Sequence, residues 1–201
     1  MHRLLSLLAA TTLATTTIAV GACSERTAAA AVRRPVHVDT ILPRAEALRR
    51  FQATARPTDS LANGASSRDA LVHAFVGALQ KRDTTQLRRL ALNRDEFAYL
   101  YYPTAPQGLP PYDVAPDLLW FMLGNGSDKG IRRALASRGG QPLGYESYRC
   151  DPTPSRQGAN TVWGPCIVRR RQGGRIVEER LFGLIVERAG RFKFVDYGNG
   201  L

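Results

Sequence analysis

The chain has 201 residues and a formal net charge of +11, from 28 basic and 17 acidic side chains, and only Lys81, Lys129 and Lys193 of the basic set are lysine. The excess is spread along the chain without a compact basic block, which argues against nucleic acid as a partner. Anionic lipid headgroups, cell-wall polymers or a plain solvated arginine-rich surface fit the balance better.

The first residues are a short basic start, His2 and Arg3, followed by an apolar, threonine-rich stretch over 4–20. It is short for a membrane span, which needs roughly 20 apolar residues, and reads as an export signal over 1–22. Its ending, Val20, Gly21, Ala22, Cys23, resembles the lipobox of bacterial lipoproteins: a branched residue, two small ones, then cysteine. The resemblance implies cleavage after Ala22 and lipid on Cys23, and so a membrane anchor at the cell envelope, on the non-cytoplasmic side. Ser24 stands where an aspartate retains many such proteins at an inner membrane, which points to the outer one. Cleavage would remove one arginine and no acid, leaving a net charge of +10.

A tether is expected over 23–35, where alanines and polar residues offer little to a core. Over 36–60 the pattern predicts a short docking helix followed by a linker, with Ile41, Leu42, Ala45, Leu48 and Phe51 on one stripe and Pro43 near its start. A single domain is expected over 61–201, enough chain for one hydrophobic core. Ser66 with Asp69 predicts the start of a helix over 68–80; Asp83 with Gln86 and Asn93 with Glu96 predict two more, the last stopped by Pro103. Pro116 predicts a helix over 117–123 ended by Gly124, and a further one over 128–138 ended by Gly139 and Gly140.

From Tyr145 onward the pattern is strands. Residues 161–171 predict one, residues 175–188 a long central one with its apolar run from Leu181 to Val186, and residues 191–197 a third, in an antiparallel meander. Glycines at 173, 174 and 190 suit the tight turns between them. Cys150 and Cys166 are an even pair in an oxidising compartment and are expected to form a disulfide. They have no nearby histidine and no paired-cysteine spacing, so neither a metal site nor any other cofactor is expected.

Helices first and a curved antiparallel sheet afterwards make an α+β fold. In the helix over 68–80, the short Asp83-capped helix after it and the terminal strands ending at Phe192, Phe194 and Tyr197, the chain resembles the nuclear transport factor two-like, or SnoaL-like, superfamily. That resemblance implies a cone-shaped domain, dimerisation through the sheet in many members and, in those that are enzymes, a histidine and a carboxylate inside the cone.

His73 and Asp95 are the residues that such acid–base chemistry would fall to. His73, however, is off the apolar stripe of its helix, and Asp95 sits in a first helical turn. The aromatic cluster is the stronger signal: Tyr99, Tyr101, Tyr102, Tyr112 and Trp120, with Phe97 and Phe121, lie within 25 residues and cannot all face one core. The sequence therefore points to a lipid-anchored binding module that does no catalysis, with Tyr99, Tyr101, Tyr102, Tyr112 and Trp120 as its candidate surface. Its partner would be a small apolar or sugar-like ligand or an envelope protein. A SnoaL-like enzyme and a purely structural envelope component are the alternatives.

Overall fold

The computed structural model describes residues 42–199. The export signal, Cys23, the tether and the opening of the docking segment lie outside those residues. Five helices precede two antiparallel sheets, an α+β arrangement: α1 (Arg44–Gln52), α2 (Arg68–Gln80), α3 (Thr84–Arg89), α4 (Arg94–Glu96) and α5 (Pro116–Arg138). The strands are β1 (Tyr145–Cys150), β2 (Ser155–Gln157), β3 (Asn160–Trp163), β4 (Cys166–Gln172), β5 (Arg175–Glu179), β6 (Ile185–Arg188) and β7 (Arg191–Phe194).

The helix starts follow local capping chemistry. Asp83 accepts the Gln86 N–H at 2.9 Å, and Asn93 and Glu96 form both halves of a capping box, each side chain accepting the other's backbone N–H at 2.9 Å. At α2 the cap is Ser67, one residue later than expected, accepting from Ala70 N–H at 3.0 Å. After its single turn α4 widens into a π-turn over Phe97–Tyr101 and tightens into a 3-10 turn over Tyr102–Thr104, which contains Pro103. These changes of pitch abandon the 100° step of an α-helix, so Phe97, Ala98, Leu100, Tyr101 and Tyr102 are all buried.

Gly124 does not end a helix. α5 runs unbroken for 23 residues through Gly124 and Gly126, and only Gly139 closes it. Each internal glycine costs about 1 kcal/mol relative to alanine, but buried Leu119, Ile131 and Ala134 hold one face of the helix against the fold on both sides of them.

The expected long strand over 175–188 is likewise two strands in two sheets. The sheets run β1-β4-β5 and β2-β3-β6-β7, and the chain crosses between them three times, after β1, after β3 and after β5. The crossing at Gly164 and Pro165 divides the segment expected as one strand into β3 and β4; the one over residues 180–184 divides β5 from β6. In that last crossing Leu181 and Phe182 are fully buried, so the apolar run marks chain diving through the core. Gly183 is required there: a Cβ would stand 1.9 Å from Asp196 Oδ1. The expected turns do form, β4 to β5 through Gly173 and Gly174 and β6 to β7 through Ala189 and Gly190, all four residues at positive φ.

Cys150 and Cys166 face each other across β1 and β4 and are joined by a disulfide. Closing a loop of this size stabilises by about 3 kcal/mol in the chain-entropy picture. Nearby, Glu179 of β5 accepts two hydrogen bonds from Arg170 at 2.8 Å and two from Arg138, which ties the end of α5 to the three-stranded sheet. The Arg170 guanidinium, aided by Arg138, holds the Glu179 carboxyl down at about 2.

Two apolar clusters fill the interior. One joins α2, α3 and the second half of α5 to the sheets through Phe75, Leu79, Phe182, Phe194 and Tyr197. The other lies under α1 and the 97–105 segment, around Phe51, Phe97, Tyr101, Tyr102, Leu119 and Val186. Between the helical layer and β7 sits an ion pair: Lys193 donates to both carboxylate oxygens of Glu96 at 2.9 Å, and both side chains are buried.

Candidate functional site

Phe194 N–H donates to Leu90 O and Leu92 N–H to Phe194 O, both at 2.9 Å, so the chain after α3 lies along β7 in a short parallel bridge at Ala91. This places Ala91, Leu92 and Asn93 opposite α5, whose Trp120, Leu123, Gly124, Ser127, Asp128 and Ile131 recur at helical spacing on the facing side. Val195 and Tyr197 complete a cleft of about 330 Å³. Its walls are mainly apolar, and the missing side chain at Gly124, which has nothing within 4 Å of where a Cβ would stand, leaves part of its volume open.

Charge is confined to the rim. Arg88 meets Asp128 across the mouth at 3.3 Å, both largely exposed. Arg94 lies with its guanidinium 4.1 Å over the Phe51 ring and donates to Thr54 Oγ1 at 2.7 Å. Within the cleft Tyr197 is pinned: its hydroxyl donates to Leu87 O at 2.6 Å and its N–H to Ser127 Oγ at 3.2 Å. Burial pushes its phenol far up, so it acts as a fixed donor. A second depression of about 390 Å³, its walls also mainly apolar, shares Arg88, Ala91 and Asn93 with the cleft and adds Thr85, Arg89 and Lys193, the last paired with Glu96. Among the described residues neither Arg89, beside the second depression, nor Arg94, beside the cleft, is in an ion pair. A molecule with an apolar body and an anionic group would meet the apolar walls with the one and these guanidinium groups with the other.

Of the residues expected to form the binding surface, Trp120 lines this cleft, stacked obliquely 5.2 Å from Phe97. The other four are elsewhere. Tyr101 is buried in the second cluster, its phenol pushed up to about 12 by burial and by the charge of Asp196. Tyr102 is buried with its hydroxyl donating to Val114 O at 2.9 Å, and its ring borders a separate groove of about 640 Å³ with Leu42, Arg44, Asp113 and Asp117. Tyr99 is half-buried, donating to Gln52 O at 3.3 Å, and Tyr112 is exposed. The five do not converge on one cavity.

His73 is exposed on α2, its ring edge against Tyr145 at 5.2 Å. Asp95 accepts both the backbone N–H and the Nε of Arg56, at 3.0 and 3.1 Å; these bonds hold its carboxyl below the usual range and make it a latch on the 53–56 turn. Neither lines the cleft. Among the described residues no three His, Cys, Asp or Glu side chains come together as a metal donor set, and no helix is long and apolar enough to cross a membrane.

The rim arginines Arg88 and Arg94 were not singled out by the sequence, because each follows a capped helix start like any solvated surface residue. Asp196, one residue from the cleft floor, carried a signal in the sequence: a lone acid in the apolar run Phe194, Val195, Asp196, Tyr197. Burial raises its carboxyl above the ordinary 3.8, against the Gly198 N–H it accepts at 2.8 Å and the charge of Arg180. A carboxyl raised in the folded state favours folding below the unfolded value and loses that contribution as pH rises through the folded value. Asp196→Asn keeps the acceptor for Gly198 and removes the charge. It is therefore expected to stabilise the protein at pH 7 and to flatten the fall in thermal midpoint on raising pH from about 4; a midpoint at pH 7 below that of the parent would contradict this assignment.

A scan against protein-family models, a search of curated proteins and a search of solved structures each return no match.

Proposed function

We propose that the protein is a lipid-anchored envelope binding module whose cleft between α5 and the 88–94 segment holds a small, mainly apolar molecule carrying an anionic group. The observation that carries the reading is the cleft, with Trp120, Leu123, Ile131 and Val195 on its apolar walls, Arg94 at its edge and Arg89 beside the neighbouring depression. The location rests on the lipobox ending at Cys23, which supplies the anchor. The placement in the nuclear transport factor two-like superfamily rests on the sequence resemblance of the helix over 68–80, the Asp83-capped helix after it and the terminal strands. Binding without turnover is favoured over acid–base catalysis because the cleft lining contains no histidine and its one acid, Asp128, is paired with Arg88.

Native followed by denaturing mass spectrometry of the full chain, exported in a bacterial host and extracted from membranes, tests the reading. An added mass lost on denaturation is expected. The variant Gly124→Leu, which fills the cleft from a position open on the helix, is expected to lose it. A bare parent protein, or an unchanged added mass in the variant, would remove the cleft as the binding site. The denatured mass reports separately whether Cys23 carries lipid.

A further inference from the structure

The outer face of α5 carries a surface that neither the cleft nor the core uses. Leu118, Phe121 and Met122 are 51%, 63% and 55% exposed, and Tyr112 just before the helix is 69% exposed. Single exposed apolar residues are ordinary, but three within little more than one helical turn form a patch. The same face continues through Asn125 to Lys129, Arg132 and Arg133, which lie 11, 14 and 15 positions after Leu118 and are also exposed. One helix face thus turns from apolar to cationic along its length. Among the described residues none of Lys129, Arg132 and Arg133 is in an ion pair, whereas the one acid in the middle of the helix, Asp128, is held by Arg88.

The route by which the chain enters the fold is the second observation. Leu42, itself exposed, shares a groove with Asp117 in the first turn of α5, so residues arriving from the N-terminal side join the domain beside the apolar end of that face.

We propose that the outer face of α5 is a membrane-contact surface, with Leu118, Phe121 and Met122 entering the interfacial layer of an anionic bilayer and Lys129, Arg132 and Arg133 on its headgroups. A bilayer presents apolar chains and anionic headgroups side by side, which is the pairing this face complements. The inference rests in part on the lipid-anchor reading. An anchor on Cys23, 19 positions before Leu42, would hold the domain near the membrane while leaving the orientation to the face itself.

Met122 is the only methionine besides Met1, which makes its oxidation a native probe. The full chain would be reconstituted on vesicles of phosphatidylcholine and on vesicles in which a quarter of the lipid is phosphatidylglycerol. It would then be treated with hydrogen peroxide and the Met122 peptide followed by mass. Oxidation is expected to be at least about fivefold slower on the anionic vesicles, and high salt or the variant K129E/R132E/R133E should restore the faster rate while the protein still floats with both vesicles. Equal rates on the two vesicles, or protection that survives charge reversal, would overturn the proposal. Concentration-dependent protection without vesicles would also overturn it, assigning the face to a second copy of the chain. Flotation with neutral vesicles reads the anchor independently: its loss would count against the anchor, and the difference in Met122 rate would still decide the face.

Discussion

Glu96→Leu is expected to lower the unfolding free energy by about 3–5 kcal/mol. Its carboxylate accepts four hydrogen bonds: two from Lys193, one from Ala62 N–H at 2.7 Å and one from Asn93 N–H at 2.9 Å. Removing it strands a buried ammonium and two backbone donors at once, and the junction between α4, the 61–65 loop and β7 loses its common acceptor. The reverse substitution, Lys193→Met, leaves the carboxylate with two backbone donors and fills the space with apolar atoms, and is expected to cost about half as much. Urea denaturation of the two single variants and the double variant measures the difference. If Lys193→Met proves the more damaging of the two, the view of Glu96 as the hub is wrong.

α5 supplies the second large effect, with its own control. Gly130 faces β7's exit, and a Cβ there would stand 1.8 Å from Tyr197 O, with Asn199 Nδ2 donating to Gly130 O at 2.9 Å to hold the approach close. Gly130→Ala is therefore expected to destabilise by about 3 kcal/mol or more, because the obstacle is backbone and cannot rotate away. At Gly124 and Gly126 nothing lies within 4 Å of the added carbon, so alanine there gains its ordinary helix propensity, about 1 kcal/mol each. Thermal midpoints of the three variants should separate in sign. A neutral Gly130→Ala would mean that the helix shifts away from Tyr197 at little cost.

These glycines show where the sequence was legible and where it was not. Capping is local chemistry, and Asp83 with Gln86 and Asn93 with Glu96 announce their helices within four residues. The pairing of Cys150 with Cys166 was also anticipated, because the expectation of export with Cys23 committed to lipid leaves two cysteines and one bridge to make. Gly124 looked like a stop because propensity is local, whereas the continuity of α5 comes from Leu119, Ile131 and Ala134, spread over the whole helix. The run from Leu181 to Val186 looked like one buried strand because burial has the same signature in a strand and in a crossing segment. The aromatics of the 97–102 stretch were not expected all to face one core, and the π and 3-10 turns removed the α-helical period that expectation assumes. The cleft was the least legible feature: only Trp120 of its lining belonged to the expected surface, and the remainder comes together through the bridge at Ala91, a contact between segments about 100 residues apart.

The excursion from β3 into the other sheet and back to β6 has a consequence for how the chain closes on itself. β3 pairs with β6, and everything between them is the β4–β5 hairpin and its two short links. Trp163 and Ile185 are thus distant along the chain yet become near neighbours once that hairpin has zipped from its Gly173–Gly174 tip, since the loop left to order is then only the links. Loop-closure entropy makes local zipping the less costly first step, and the hairpin serves as a splint that brings the ends of its own excursion together. The exposed tip is correspondingly the place in the strand half where added length would least disturb the remaining ladders, because neither end of the β3–β6 pairing depends on how far the excursion reaches.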